Sequence, residues 1–323
     1  MTILWCGGED IDFPYGGYVN SGGYDSAMSR RSVSCNGISK SKSFSQQTSL
    51  WMSFYFDGSH YFTVSNRKII GICQFSTGYN GIYFGTNDST RRKLSLYSYI
   101  NGTWSHIVSE SGTSFSDGGY HRLTINIIDY GTSSTINVYC DGIIIINYTT
   151  NLVINTVSYF DSIAILDVYP DFGAYGGLSQ IIVADEDTRL MKLKTLALNN
   201  NGDMNSWSGS YSDITDSTIS DYSKLYTSVP DADVQINTSG MPTGNYQPVS
   251  VRIITRFVNA GNQYGLQQGV KTNGSIYLSS TQQAVGYWDT KEIIYDTNPI
   301  TGLPWSSIEI EELQFAYRHK VIS

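Results

Sequence analysis

The stretch from residue 118 to 148, GGYHRLTINIIDYGTSSTINVYCDGIIIINY, most constrains the fold of this chain. Apolar side chains occupy every second position at residues 123–127 and again at 136–140, and period two is typical of a half-buried strand. A polar turn, DYGTSS, separates the two runs. Asp141-Gly142 follows the second run and is the dipeptide that most often closes a tight hairpin. Because a third apolar run comes next, the stretch predicts a meander of three antiparallel strands.

Composition extends this pattern to the whole chain, which we predict to be all-β. Only 15% of the 323 residues are charged, whereas the chain has 25 Tyr and 31 Gly, a balance that favours strands and turns over helices. The length suits two β domains of about 100–200 residues each. Runs of strand character recur at intervals of about 8–12 residues, as in a sandwich or barrel. In the first half they predict a hairpin within 3–14, a strand near 27–35, and strands at 50–56, 69–75, 82–85, 94–100, 103–108, 154–157, 161–166 and 178–184.

The sequence pattern of the central meander resembles that of the laminin-G-like, concanavalin-A-like jelly roll. In that family an aromatic-His pair opens one central strand and an Asp-Gly turn closes the next; here these are Tyr120-His121 and Asp141-Gly142, with Tyr120 in place of the usual Trp. The resemblance implies a structural role for these residues, and for His121 a satisfied structural histidine. It also implies that the Ile-Ile-Val run at 181–183 returns beside the first strand. We therefore predict a laminin-G-like jelly roll over residues 1–190.

Residues 191–323 are predicted to form a second, smaller β-sandwich. We interpret residues 184–198 as a linker followed by a strand at 190–195, and residues 199–216 as a polar loop. Strands are expected at 249–258, 264–271 and 275–280.

The end of the chain carries the most informative motif of the second half, DTNPITGLPWSS followed by IEIEELQFAY. Pro299 and Gly302 set a turn, Trp305 plugs the bottom of the sandwich, and Ser306 caps a short helical turn with Glu309 three residues on. The pattern resembles the closing segment of a β domain found repeatedly in phage virion proteins. It is structural in content and implies nothing about catalysis.

The net charge, the apolar segments and the positions of the cysteines exclude several classes of function. The net charge of −8 leaves no basic stripe for phosphates, so no nucleic-acid partner is expected, and the triplet Arg91-Arg92-Lys93 is interpreted as solvated. The start of the chain has no secretory signal pattern, and the lack of an 18-residue apolar window predicts no membrane insertion. Cysteines at 6, 35, 73 and 140 are read as buried thiols; since no histidine lies at ligand spacing from one, a metal site built from them is disfavoured.

No arrangement of residues points to an enzyme. The four histidines lie far apart, no nucleophile elbow occurs, and the paired-carboxylate motif of jelly-roll glucanases is absent. Glu309 to Glu312 are interpreted as a solvated face. No cofactor is predicted, although Asp185 and Asp187 offer carboxylate oxygens that would suit Ca²⁺, which laminin-G-like domains sometimes bind.

Four tyrosines, Tyr79, Tyr83, Tyr97 and Tyr99, are candidates for a surface that stacks on sugar rings or packs against another protein. Together with the phage-type motif they give the main hypothesis, a non-enzymatic virion protein of a tail, baseplate, collar or capsid decoration. Its implied partners are other virion proteins and its own copies, and its implied location is the virion, assembled in the host cytoplasm. The alternative is a tail fibre or spike adhesin that binds host glycans, and the third hypothesis is a glycan hydrolase.

Overall fold

The structure is a computed structural model that describes residues 1–8, 12, 19–21, 24, 28, 31–34, 40–57, 68–87, 93–112, 119–153, 158–166, 177–215, 222–284 and 286–322. The chain forms two compact units, Met1–Leu193 and Lys194–Ser323. Four sequence predictions fall outside the described residues. They are the strand at 154–157, the second strand of the N-terminal hairpin, the thiol of Cys35, and Arg91 and Arg92 of the basic triplet.

The first unit consists of antiparallel strands in two sheets. Its described strands are β1 (Ile3–Gly7), β2 (Val19–Ser21), β3 (Arg31–Ser34), β4 (Lys40–Gln47), β5 (Leu50–Asp57), β6 (Lys68–Gln74), β7 (Asn80–Asn87), β8 (Lys93–Ile100), β9 (Thr103–Ser109), β10 (Tyr120–Ile128), β11 (Ser134–Cys140), β12 (Ile143–Thr150), β13 (Phe160–Ile165) and β14 (Gly177–Ala184). Sheet I has the order β12-β11-β10-β5-β14-β3-β2, with β1 also paired to β14. Sheet II has the order β4-β13-β6-β7-β8-β9. The predicted all-β, jelly-roll class of fold is confirmed.

The core of this unit lies between the two sheets because alternate side chains of each strand point inward. Phe54 of β5 and Phe84 of β7 are fully buried and meet edge to face across the gap, with ring centroids 5.9 Å apart. Burying a side chain of this kind contributes about 1.5–3 kcal/mol. The intervening side chains of each strand point to the opposite face of its sheet, away from this core.

The predicted meander is present as β10, β11 and β12. Ile125 of β10 lies opposite Val138 of β11, and both side chains are buried. The turn residues Asp141 and Gly142 have φ of 50° and 83°. Positive φ at both central positions is what a type I′ hairpin turn requires. The turn therefore forms where the Asp-Gly dipeptide predicted it.

Strand β14 lies inside sheet I and joins its first strand to the rest of the sheet. It pairs with β5 on one side and with β3 and β1 on the other, where Trp5 lies opposite Val183. The apolar run at its end thus returns beside the first strand, as the jelly-roll resemblance implies. Trp5 is 1% exposed and belongs to the core between the two sheets.

The second unit contains seven strands in its described residues. They are β15 (Leu198–Asn205), β16 (Asp233–Thr238), β17 (Val251–Phe257), β18 (Tyr264–Thr272), β19 (Ser275–Leu278), β20 (Asp289–Tyr295) and β21 (Gln314–Val321), with one short helix, α1 (Ser307–Glu311). Sheet III has the order β15-β16-β21-β18-β19, and β17 and β20 form a two-stranded ribbon. Val251 and Ile253 of the ribbon share a core with Val270 of sheet III, which makes this unit a small β-sandwich.

The closing motif forms one connected turn in the second unit. Gly302 has φ of 72°, and its N–H donates to the carbonyl of Asn298 at 2.8 Å. Asn298 is the third residue after the end of β20 and directly precedes Pro299. Trp305 is 2% exposed, and its indole N–H donates to the carbonyl of Tyr295 at 2.8 Å. The turn therefore holds the indole in the core of the unit.

Two predictions about the segment joining the units are wrong. Residues 190–195 are not a strand: the backbone is irregular there, and just before it Thr188 is fastened to sheet I by a hydroxyl contact of 2.6 Å with Ser53. The loop predicted at 199–216 instead begins with β15. Its polar, Asn-rich sequence has low strand propensity, and pairing with β16 overrides that preference.

Among the described residues, no helix has the length and apolar character needed to cross a membrane.

Candidate functional site: the aromatic face of sheet II

The outer face of sheet II, on the side away from the core, carries a cluster that we call the aromatic face: Tyr83 of β7, Tyr97 and Tyr99 of β8, and Trp104 of β9. The strand register places Tyr83 opposite Tyr97, and Tyr99 opposite Trp104. Intervening residues such as Leu96 point into the core instead. The cluster is thus a direct product of period-two alternation on three neighbouring strands.

Tyr83 is the base of the aromatic face. It is 1% exposed, and its ring covers Gly71 of the neighbouring β6 so closely that a Cβ at Gly71 would lie 2.2 Å from the ring. Its hydroxyl donates a hydrogen bond to the carbonyl of Tyr79 at 2.6 Å. Burial raises the pKa of Tyr83, so the hydroxyl keeps its proton and remains a donor at neutral pH.

Trp104 rests on this base. Its ring centroid lies 4.8 Å from that of Tyr83, in an edge-to-face contact, and 4.6 Å from that of Tyr99. Trp104 is nevertheless 37% exposed. Part of a firmly held indole ring therefore faces solvent.

Polar and charged groups border the exposed indole. His106 lies on the same face and is exposed; its ring centroid is 5.5 Å from that of Tyr97, and its Nε2 is 2.9 Å from the hydroxyl oxygen of Ser109. The ammonium nitrogen of Lys68 lies 4.6 Å from the ring centroid of Tyr97 and 5.1 Å from that of Trp104. Burial lowers the pKa of Lys68, because a charge partly withdrawn from water is less stable. The face thus combines aromatic rings in edge-to-face and tilted contact with hydrogen-bonding groups and the ammonium of Lys68.

Small side chains lie beside the aromatic rings on the same face. Ala164 of β13 stands opposite Gly71 of β6, and Ser162 opposite Cys73, in the two rows next to β7. Burial raises the pKa of the Cys73 thiol to about 11. On the turn before β7, the hydroxyl of Tyr79 lies 3.1 Å from that of Ser41 on β4. Cys73, Ser162 and Ala164 are 0–1% exposed, so they pack beneath the face and do not contribute to its exposed surface.

The structure brings all four predicted tyrosines together on this face, but their exposure differs. Tyr83 and Tyr97 are buried, and the other two are half-buried. The exposed positions belong to Trp104 and His106, which sequence reasoning missed. The signal was present in TWSHIV, where the two residues alternate with Ser and Ile and so share one strand face.

The two carboxylates predicted to suit Ca²⁺ have separate partners. Asp185 accepts a hydrogen bond from the backbone N–H of Thr2 at 2.7 Å. Asp187 forms an ion pair with Arg189 at 2.6 Å, and that guanidinium lies 4.7 Å from the ring centroid of Tyr139. Burial acts to raise the pKa of Asp187, but the hydrogen bonds from Arg189 outweigh it and the pKa lies below its usual value. Ca²⁺ binding by these carboxylates stays a prediction.

The residues of the jelly-roll motif meet at one end of sheet I. The Nδ1 of His121 lies 2.7 Å from Oδ2 of Asp141, whose other carboxylate oxygen accepts a hydrogen bond from the backbone N–H of Arg122 at 2.9 Å. Half-buried Tyr120 precedes the histidine, and Gly142 completes the turn. The motif therefore fastens the start of β10 to the turn after β11.

The described cysteines are buried thiols, as predicted, and one of them has a histidine nearby in space. Cys6, Cys73 and Cys140 are buried and form no disulfide. The argument against a cysteine metal site used spacing along the chain, whereas in the fold the hairpin brings His121 beside Cys140. Spacing along the chain did not reveal this, because the two residues belong to different strands.

No protein family and no curated protein matches this sequence. Among solved structures, the chain is similar to sheep galectin-11 in complex with glycerol, with a TM-score of 0.31, 14% identity, and coverage of 46% of this chain and 96% of that one. It is similar to domain 4 of AbnA, an extracellular arabinanase from Geobacillus stearothermophilus, in complex with arabinotriose (TM-score 0.34, 16% identity, 55% and 80% coverage). It is also similar to the alginate lyase Aly36B (TM-score 0.37, 11% identity, 60% and 100% coverage). At such identities and TM-scores, the likeness carries no argument about function.

Proposed function

We propose that the aromatic face of sheet II binds carbohydrate. The observation that supports this is Trp104, which is 37% exposed and is held from below by Tyr83 and Tyr99. A pyranose ring has an apolar face of C–H groups that stacks on the electron-rich face of an aromatic ring. Its hydroxyl groups then point to the border, where His106 and Ser109 offer hydrogen-bonding atoms.

The rigidity of the aromatic face suits a small ligand. Its rings project from paired strands and contact one another, so little side-chain freedom remains to be lost when a sugar binds. Small-molecule sites combine apolar surface with a few placed polar groups, and this face offers both. It also contains no pair of carboxylates among its described residues, which is consistent with binding rather than glycoside hydrolysis.

The test is Trp104→Ala in a glycan array, followed by calorimetric titration of the best-bound glycan. Removal of the exposed indole is expected to weaken binding at least tenfold, equivalent to about 1.4 kcal/mol. Trp51→Ala is the matched control: Trp51 is half-buried on sheet I, where it stacks on Tyr139 with centroids 6.0 Å apart. This control is expected to bind like the wild type. If the wild type selects no glycan, or both variants bind it equally well, carbohydrate binding by this face is refuted.

A second candidate is the structural role predicted from the sequence, a virion component that packs against other virion proteins and its own copies. It is favoured by the terminal strand of sheet I, β12, where Ile143 and Ile144 are 70% and 49% exposed. An edge strand with exposed apolar residues favours pairing with another chain. The phage origin and the virion location rest on the sequence resemblance alone. Neither candidate requires a catalytic group, in line with the prediction that the chain is not an enzyme.

A further inference from the structure

The end of the β10–β11 hairpin gathers three side chains of metal-binding type. His121 is the second residue of β10, Cys140 is the last residue of β11, and Asp141 begins the turn. One donor atom from each residue lies within 4.8 Å of the other two. The Sγ of Cys140 is 3.8 Å, and the Nδ1 of His121 is 2.7 Å, from Oδ2 of Asp141.

These separations are close to those around a tetrahedral Zn²⁺ ion. Zn²⁺ binds nitrogen and oxygen at about 2.0–2.2 Å and thiolate sulfur at about 2.3 Å, so neighbouring donor atoms are about 3.3–3.6 Å apart. The sulfur–oxygen distance is already near this range. The nitrogen–oxygen distance must open by about 0.6 Å, which a small rotation of the 53% exposed Asp141 side chain about its hydrogen bond from Arg122 provides.

We propose that His121, Cys140 and Asp141 bind a divalent transition metal of the Zn²⁺ class, with water as the fourth ligand. Thiolate and imidazole select such ions over Ca²⁺ and Mg²⁺, which prefer oxygen. The thiolate and the carboxylate together neutralise the two charges of the ion, while the imidazole stays neutral. Binding releases the thiol proton to solvent.

The surroundings of the three residues suit this role. His121 and Cys140 are 7% and 6% exposed, whereas Asp141 faces solvent, so an ion has an open side from which to enter. The backbone N–H of Arg122 holds Oδ1 of Asp141 at 2.9 Å and leaves Oδ2 turned towards the histidine and the cysteine. Hydrogen bonds that orient a ligating carboxylate in this way are a regular part of metal sites.

A purely structural role for the motif makes a different demand on Cys140. The hydrogen bond between His121 and Asp141 fastens the hairpin without any ion, and for that purpose residue 140 needs only a small buried side chain. A metal site needs the sulfur itself. Replacement of the sulfur by oxygen therefore separates the two interpretations.

The experiment is a titration of the chelator-treated full chain with Co²⁺, followed by displacement with Zn²⁺. Tetrahedral Co²⁺ bound to a thiolate gives a charge-transfer band in the near ultraviolet. We expect this band in the wild type and its loss in Cys140→Ser, with Zn²⁺ affinity reduced at least about tenfold. Cys73→Ser is the matched control, since Cys73 is a buried thiol that contacts Ser162 and lies outside the cluster. It is expected to keep the band.

The absence of a thiolate band in the wild type overturns the proposal, and so does an unchanged band in Cys140→Ser. The melting temperature of each metal-free variant is measured alongside. Where Cys140→Ser does not fold, Asp141→Asn takes its place, and an unchanged Zn²⁺ affinity in that variant likewise overturns the proposal. A stoichiometry of one ion per chain, with the band lost only on substitution within the cluster, supports it.

Discussion

Gly71 and Tyr83 show how a single side chain shapes the aromatic face. A Cβ at Gly71 would lie 2.2 Å from Cδ1 and 2.4 Å from Cε1 of the Tyr83 ring. The backbone of Gly71 cannot move away, because β6 is paired with β13 on one side and with β7 on the other. The ring of Tyr83 must therefore shift, and with it the support of Trp104.

We expect Gly71→Ala to lower the free energy of unfolding by about 1–3 kcal/mol, the usual effect of overpacking. Urea denaturation measures this directly. Gly131→Ala is the control: the nearest atom to a Cβ there is 3.6 Å away, an ordinary contact, and the change is expected to stay within about 0.5 kcal/mol. Equal losses in the two variants would show that the contact with Tyr83 is not the cause.

At this scale, the sequence predicted which residue types matter better than it predicted their contacts. The four tyrosines were identified from composition and do share one face. Their exposure was not predictable, since it depends on Trp104 covering Tyr83 across two strand pairings. The short distance between His121 and Cys140 likewise depends on the register of β10 with β11, which could not be predicted from the sequence pattern of either strand.

At the scale of elements, α1 owes its start to a capping box. The Oγ of Ser306 accepts a hydrogen bond from the N–H of Glu309, and a Glu309 carboxylate oxygen accepts one from the N–H of Ser306 at 2.8 Å. The other carboxylate oxygen accepts a hydrogen bond from Asn298 at 2.7 Å. Glu309 is thus 8% exposed, and its predicted place on a solvated face is wrong. The cap was readable from the Ser-x-x-Glu spacing, whereas the contact with Asn298 needed the fold.

These hydrogen bonds give a pH-dependent prediction. The bond from the backbone N–H of Ser306 holds the pKa of Glu309 below its usual value. The stabilisation by the charged carboxylate is therefore complete above the unfolded pKa of about 4.3 and is lost as pH falls through the lower folded value. We expect Glu309→Gln to lose about 1–2 kcal/mol at pH 7, and the difference from the wild type to shrink below about pH 4.

Urea denaturation at several pH values between about 3 and 7 checks this, since it spans the titration of a glutamate. Glu312→Gln, an exposed position next to α1, is the control and is expected to change the free energy by less than about 0.5 kcal/mol. A gap between wild type and Glu309→Gln that stays constant across the pH range would contradict the charge-based explanation.

Turns and strands differed in how well the sequence predicted them. The alternation of apolar and polar residues predicted most strands of the first unit, and the Asp141-Gly142 dipeptide predicted the turn between β11 and β12. Two further Gly turns, Asn101-Gly102 and Asn273-Gly274, have the same pair of positive φ angles and were equally readable as Asn-Gly signals. In contrast, β15 was missed because its strand state depends on pairing with β16 and not on its own residues.

On the scale of the whole molecule, the fold class followed from the sequence, but the order of strands within the sheets did not. β5 lies between β10 and β14 in sheet I, a placement set by contacts between distant parts of the chain. The division into Met1–Leu193 and Lys194–Ser323 lies close to the boundary predicted near residue 190. Whether the units are independent domains stays a prediction.

Self-association tests the structural candidate function. If copies pack through β12, the wild type is expected to have a mass in solution that is a multiple of 35.8 kDa, and Ile143→Lys is expected to shift it towards that of one chain, because charge on an edge strand opposes pairing. Light scattering coupled to size-exclusion chromatography measures this. Leu190→Lys, at a position 96% exposed and outside any strand, is the control and should leave the mass unchanged. A wild type of single-chain mass would argue against packing through this edge.

The pairing of β1 with β14 has a consequence for how the protein is made. During translation, β1 is synthesised long before β14, its partner at the other end of the first unit. Ribosomes add about 5–20 residues per second, so β1 waits on the order of ten seconds or more before the strand that pairs with it exists. Over that interval β1 lacks its paired strand, and an unpaired apolar strand is the kind of surface that chaperones protect from aggregation.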